Sequence, residues 1–200
     1  MKKLGLLDKF VSKTAPGRSP DFTQAHLLYT LILLKRQRIG RRQLADELRL
    51  GEGTVRTLLG RLQEEGLIEI SRSGVTLSDK GREYLGAIEG VIKWGPLPKT
   101  EITVDEVNWA VLVRDASNRV RIGVEQRDEA LIHGASGATT LVFHDAKWVL
   151  PGLNEKVEDH ILMGLSDFNP QENDVAVIGS SGDGFTSTIG ALAAAIALLR

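Results

Sequence analysis

Residues 40–81, GRRQLADELRLGEGTVRTLLGRLQEEGLIEISRSGVTLSDKG, constrain this chain more than any other stretch. Between residues 54 and 65 the apolar side chains are Val55, Leu58, Leu59 and Leu62, the i, i+3, i+4, i+7 spacing of one helical face. A shorter helix precedes it over 41–48, with Leu44, Ala45 and Leu48 inward, and residues 49–53 connect the two. Gly66 ends the second helix as a C-cap residue. Residues 67–71 (LIEIS) alternate as a strand, Arg72, Ser73 and Gly74 make a tight tip, and residues 75–77 return. Ser78 then caps a further helix, with Asp79 in its first turn, where the helix dipole favours negative charge.

Two amphipathic helices joined by a short Gly-containing turn have the form of a DNA-reading helix-turn-helix, and the hairpin after them forms a wing. The outer face of the second helix carries Thr54, Arg56, Thr57, Gly60 and Arg61, with Gly53 at its start. Such side chains suit phosphates and base edges, and Gly60 leaves room for the close approach of a backbone. Arg41 and Arg42, within the basic run Lys35, Arg36, Arg38, Arg41 and Arg42, flank the groove with phosphate contacts. Arg72 and Ser73 at the wing reach the DNA backbone or the minor groove. The segment TVRTLLGRLQEEGLIE followed by SRSGVTLSDKG resembles the winged-helix transcription regulators of the large prokaryotic superfamily, over residues 21–93. The resemblance implies a regulator on double-stranded DNA, whose trailing helix often joins two subunits. A winged helix used for protein contacts is the alternative.

The charge distribution is uneven. Residues 1–98 hold 17 Lys/Arg and 11 Asp/Glu, whereas residues 99–200 hold 8 and 15. A basic half on an acidic half points to a polyanion-binding module joined to one that is not. The 200 residues suit two domains. The absence of cysteine excludes disulfides, thiolate zinc sites and a thiol nucleophile, and fits a cytoplasmic location. The start, MKKLGLLDKFVSK, reads as a short amphipathic helix rather than a secretory signal. The longest apolar run, 189–199, is too short to span a membrane.

Breakers and periodicity divide the chain. Residues 1–20 are an N-terminal helix and link. Residues 21–94 are the winged helix, with Asp21 capping its first helix and a trailing helix over 78–94. The breakers Gly95, Pro96, Leu97 and Pro98 make residues 95–100 a linker. Residues 101–200 alternate strands (107–113, 139–143, 148–150, 174–179) with helices (125–133, 155–165, 185–199), with 119–124 either a strand or a lead into a helix. The fold class is therefore a two-domain mixture of α/β and α+β: an N-terminal winged helix-turn-helix and a small C-terminal α/β domain. The apolar helix 189–199 must be buried in the core or at a subunit interface.

The sharpest feature of the second domain is DVAVIGSSGDGFTSTIGALAAA, a buried strand, a glycine loop and a helix. Backbone amides at such a helix start bind anions, so Ser180, Ser181, Gly182, Asp183, Gly184 and Thr186 are candidates for an effector site. Its spacing mimics a phosphate-binding loop, but Phe185 stands where that loop needs lysine, which argues against an ATPase or GTPase. A plain strand-to-helix turn, with Asp183 as helix cap, is the competing reading. Arg127, with Thr139 and Thr140, forms a second candidate, and the two sets become one site if they meet at a sheet edge. The stretch GVEQRDEALIHGASGATTL with SSGDGFTSTIGALAAA resembles the C-terminal domain that follows winged helices in a group of archaeal proteins. That resemblance implies an accessory or sensor domain and supplies no ligand.

His26, His133, His144 and His160 lack metal-ligand spacing, and Gly179-Ser180-Ser181-Gly182 lacks a nucleophile elbow. No metal, cofactor or catalysis is expected. The resulting expectation is a cytoplasmic, non-enzymatic DNA-binding regulator, acting as a homodimer and responding to a small-molecule or anion effector. Two alternatives stay open. One is an enzyme that uses the winged helix for docking; the other is a constitutive architectural protein.

Overall fold

The computed structural model describes residue 5 and residues 21–153, 155–158 and 163–200. The expected N-terminal helix and link fall outside the described residues. The chain forms two compact units, residues 1–90 and 91–200.

In the first unit, α1 (Gln24–Arg36) is the central core helix, with Leu27, Leu28, Leu31 and Ile32 buried. Its cap is Thr23 rather than Asp21. The Thr23 N–H donates to His26 Nδ1 at 3.2 Å, and the Thr23 hydroxyl lies 2.9 Å from the same nitrogen. Histidine here stands in for the glutamate of a capping box. Next come α2 (Arg41–Leu48) and α3 (Glu52–Glu64), joined through Arg49, which adopts a left-handed conformation at φ 50°. The helices bury the apolar residues expected: Leu44, Ala45 and Leu48 from α2, and Val55, Leu58, Leu59 and Leu62 from α3.

The wing is β1 (Ile68–Ser71) and β2 (Gly74–Leu77), paired antiparallel. Ile39 adds a bridge to Val75, with backbone hydrogen bonds of 2.8 and 3.1 Å, and so ties the wing to the segment before α2. The helix α4 (Asp79–Glu89) begins where Ser78 Oγ accepts from the Gly81 N–H at 2.9 Å. It buries Gly81, Leu85 and Ile88. A Cβ at Gly81 would lie 1.9 Å from the Leu67 carbonyl oxygen, so this helix start rests directly on backbone.

The trailing helix ends at Glu89 instead of reaching residue 94. Residues Ile92–Leu97 form β3, the edge strand of the second sheet, rather than the end of a helix and the start of a linker. Ile92, Gly95 and Leu97 are buried, while Lys93 and Pro96 are exposed. Proline is tolerated there because an edge strand can spare an N–H. Gly95 and Pro96, which read as breakers, lie within a sheet edge, and Pro98 follows it.

The rest of the second unit is β4 (Val107–Val113), a short 3₁₀ turn at Ser117–Arg119, α5 (Val124–Ile132), β5 (Gly137–His144), β6 (Lys147–Leu150), β7 (Glu155–Lys156), α6 (Met163–Ser166), β8 (Val175–Ser181) and α7 (Gly184–Leu198). Residues 119–124, open between strand and helix in the sequence, thus run from this turn to the start of α5. The expected helix over 155–165 is corrected: Glu155–Lys156 is a strand, and among the described residues of that stretch only those from Met163 onward are helical. Ile161 and Leu162 lie outside the described residues.

The sheet order is β3-β4-β8-β5-β6-β7, and every ladder among the described residues is antiparallel. Strands and helices alternate along the chain, yet they build no parallel βαβ unit there. The rule that places ligands at the carboxyl ends of parallel strands therefore has no purchase on this sheet. β8 is buried throughout because it is central and covered on both faces. On one face Ala176 and Ile178 join Leu97, Ala110, Leu112, Leu141 and Trp148 in the core. On the other face lies α7, buried within its own unit from Ser187 to Ile196. Its apolar character is accounted for by burial against β4, β8 and α5 and needs no subunit interface. Beside this core Asp174 is 1% exposed, bonded to the Arg114 guanidinium and accepting from the Asp115 and Gln171 N–H groups at 3.1 and 2.8 Å.

Candidate nucleic-acid interface and effector cavity

Arg41 and Arg42 occupy the first turn of α2, next to the cap residue Gly40, and both are exposed. That is the positive end of the helix dipole, where cations are unfavourable. Helix stability does not explain them, in contrast to Lys35 and Arg36 in the last turn of α1. Together with Arg56 and Glu52 of α3 they line a groove of about 370 Å³. Three guanidinium groups against one carboxylate give the groove a net positive charge and planar forks of donors, a chemistry that suits phosphate.

Along α3, Glu52, Gly53, Arg56 and Thr57 are exposed, and Thr54 is half-buried. The Thr57 hydroxyl donates back to the Gly53 carbonyl at 3.1 Å. A Cβ added at Gly53 or Gly60 would meet nothing within 4 Å. Neither glycine is required by packing within the unit, so the helix surface is kept low toward solvent. Arg61 acts differently. Its guanidinium lies over the Phe22 ring at 5.4 Å, pinning the segment before α1 by a cation–π contact.

At the wing, Arg72 is exposed at the tip. Ser73 is not a free contact, because the Arg38 guanidinium donates to the hydroxyls of Ser73 and, at 3.1 Å, Ser71. Arg38 thus braces the wing, a role that its place in a basic run did not reveal.

In the second unit the two candidate sets do not meet in one site. Arg127, Thr139 and Thr140 line a cavity of about 400 Å³ with Ile122, Gly123, Val124, Ala138, Leu150, Pro151, Gly152 and Leu153. None of the glycine-loop residues lines it. The loop is instead a cap and a packing joint. Asp183 Oδ1 accepts from the Thr186 N–H at 3.0 Å, and the Thr186 hydroxyl donates to Asp183 Oδ2 at 2.8 Å. A carboxylate already sits at the start of α7, so a second anion there would be repelled. Ser180 is fully buried, its hydroxyl donating to Asn108 Oδ1 at 2.6 Å and accepting from the Val104 N–H at 3.2 Å. Ser181 is buried on β8, and Gly182 and Gly184 are exposed with open space around them. Gly179 is explained by packing: a Cβ there would lie 2.5 Å from the Ser187 carbonyl and 2.8 Å from the Ala191 nitrogen.

Within the cavity set, Thr139 is engaged, donating to the Ile102 carbonyl at 2.6 Å. Thr140 is 4% exposed and its hydroxyl has no partner among the described residues. Ile122, Gly123, Val124 and residues 150–153 were not legible as site residues. The start of α5 packs on β5, and β6 pairs with β5 at Val142–His144 and no further, which leaves the other half of that β5 edge to the cavity.

Among the described residues, His144, Asp145 and Glu172 place ligand-type atoms within 4.8 Å of one another, all exposed. Their own bonds explain the grouping. Asp145 and Ala146 form the β5–β6 turn with φ of 49° and 57°, the positive values a tight hairpin requires. Glu172 holds that turn through the Asp145 N–H at 3.0 Å and His144 Nδ1 at 2.5 Å. Among the described residues, no helix is long and apolar enough to cross a membrane.

Comparison with known proteins gives a consistent division. Residues 25–83 match the family model described as PH0730-like, N-terminal domain, and residues 104–198 match a domain of unknown function, DUF4443. Among solved structures the chain is similar to the hypothetical protein PH0730 from Pyrococcus horikoshii OT3, at 26% identity and a TM-score of 0.73, over 89% of this chain and 93% of that one. It also overlaps Lactococcus lactis ZitR, wild type, at 23% identity and a TM-score of 0.30, over 42% of this chain and 65% of that one. The latter likeness is too slight to bear on function. No curated protein matches the chain.

Proposed function

We propose that the chain is a DNA-binding transcription regulator. The helix α3 enters the major groove with Arg56 and Thr57 toward the base edges, Arg41 and Arg42 hold flanking phosphates, and Arg72 carries the wing to the backbone or minor groove. The observation that carries this reading is the groove lined by Arg41, Arg42 and Arg56 beside a helix whose glycines are not needed for packing. Binding two half-sites as a homodimer follows from the few base pairs one such helix can read. The second unit senses a small-molecule effector in its cavity, and the protein acts by binding in the cytoplasm rather than as an enzyme.

Fluorescence anisotropy of the full chain on mixed duplex DNA, at two salt concentrations, tests this. Affinity should fall steeply with salt as phosphates are neutralised. Arg56→Ala should weaken binding by about 1–3 kcal/mol. Binding that is absent at low salt, or unchanged by Arg56→Ala, would reject the assignment of α3.

A further inference from the structure

The cavity of the second unit has a polarity that names its ligand. One wall is the start of α5, a helix of nine residues whose cap, Gly123, has no side chain to accept from the first-turn amides. Its φ of +80° selects glycine, and a Cβ there would lie 3.2 Å from the Thr140 hydroxyl. The amides of an uncapped helix start seek an anion. One turn further on, Arg127 also lines the cavity, paired with the half-exposed Asp128 at 3.0 Å. Beneath lies the Thr140 hydroxyl, shut off from solvent and without a partner among the described residues, and a buried unpaired hydroxyl is rare enough to require a reason. The opposite half of β5, Gly137–Leu141, pairs with β8 and not with β6, so its second edge adds backbone donors. The remaining wall is apolar, and its rim residues Ile122 and Leu153 are 60% and 68% exposed.

We propose that this cavity takes a small organic acid, its carboxylate at the start of α5 against Arg127 and Thr140, its apolar body against Ile122, Leu150 and Leu153. The proposal rests on reading the second unit as a sensor and names the class of effector. A ligand carboxylate replaces Asp128 as the partner of Arg127 and, by moving the Gly123 turn off the Thr140 hydroxyl that it covers, supplies the acceptor that Thr140 lacks. Inorganic phosphate shares the charge but leaves the apolar rim uncovered, and Glu125 in the first turn of α5 disfavours a second negative charge.

The test is a thermal-shift and calorimetric titration of the full chain with butanoate, hexanoate and phenylacetate, with hexanamide and inorganic phosphate as controls. Hexanoate or phenylacetate should raise the melting temperature as concentration rises, more than butanoate, while hexanamide does nothing. Arg127→Gln should weaken binding about tenfold or more, the loss expected for a charged hydrogen-bond pair. Asp128→Asn should tighten it, since it removes a competitor. Thr140→Val should raise the melting temperature of the ligand-free protein and weaken the acid, a pair of opposite effects that a purely structural threonine does not give. The proposal is overturned if no carboxylate shifts the protein at millimolar concentration, if phosphate or hexanamide acts as well as hexanoate, or if Arg127→Gln binds like wild type. Salt-dependent DNA binding is measured on the same ligand-free preparation. DNA binding without carboxylate binding removes the ligand class and leaves the regulator; carboxylate binding without DNA binding does the reverse.

Discussion

Arg56 and Arg61 lie on the same helix, and the fold gives them different roles. Arg56 is exposed in the basic groove, whereas Arg61 rests on Phe22. Arg61→Ala should therefore lower stability by about 0.5–1 kcal/mol in urea unfolding and change DNA affinity less than Arg56→Ala does. The opposite ranking in the two assays would reverse the assignment. Both residues were legible as the outer face of an amphipathic helix; which of them turned back onto the protein was not, because Phe22 lies far away in the chain.

His144 carries a second prediction at this scale. Its hydrogen bond to Glu172, helped by the charges of Asp145 and Glu172, raises the imidazole pKa above its ordinary value of 6.5. A raised pKa means that the folded state holds the proton more tightly than the unfolded chain does. The stabilisation is therefore complete below pH 6.5 and is lost as pH rises through the folded value. In His144→Gln that decline should vanish from the melting-temperature profile, and an unchanged profile would refute the contact.

At the scale of elements, the glycine loop gives the clearest contrast. A side chain at Gly179 would press on the backbone of α7 at 2.5 Å, whereas Gly182 has open space. Gly179→Ala should cost about 1–3 kcal/mol, the usual penalty of overpacking, and Gly182→Ala should stay within about 0.5 kcal/mol. Denaturant unfolding of both variants decides; equal effects would mean that the loop is not the packing joint described. Local periodicity made α2, α3 and the wing readable, since each buries one face through residues a few positions apart, and α1 was readable from its apolar content, being buried on nearly all sides. The same reasoning failed at β3, where Gly95 and Pro96 read as breakers and the buried positions Ile92, Gly95 and Leu97 follow no simple alternation. It also failed at the cavity, whose walls come from three separate stretches that meet through the packing of α5 on β5 and the short β5–β6 ladder.

For the whole molecule, the position of β3 makes a prediction about where the chain can be divided. A fragment beginning at residue 91 keeps the six-stranded sheet. One beginning at residue 99, the boundary suggested by composition, uncovers the edge of β4 from Asn108 to Val113. The longer fragment should be monodisperse by size-exclusion chromatography and the shorter one should self-associate, as bare edge strands do. Two monodisperse fragments would show that β3 is dispensable.

Pro96 extends this point beyond a single copy. A sheet grows by finding a donor and an acceptor on its rim, and at Pro96 the rim has lost a donor. Crowded copies of this domain are thus denied one seam along which they could zip into a continuous ribbon. A residue that looks like punctuation between domains serves as a guard against polymerisation.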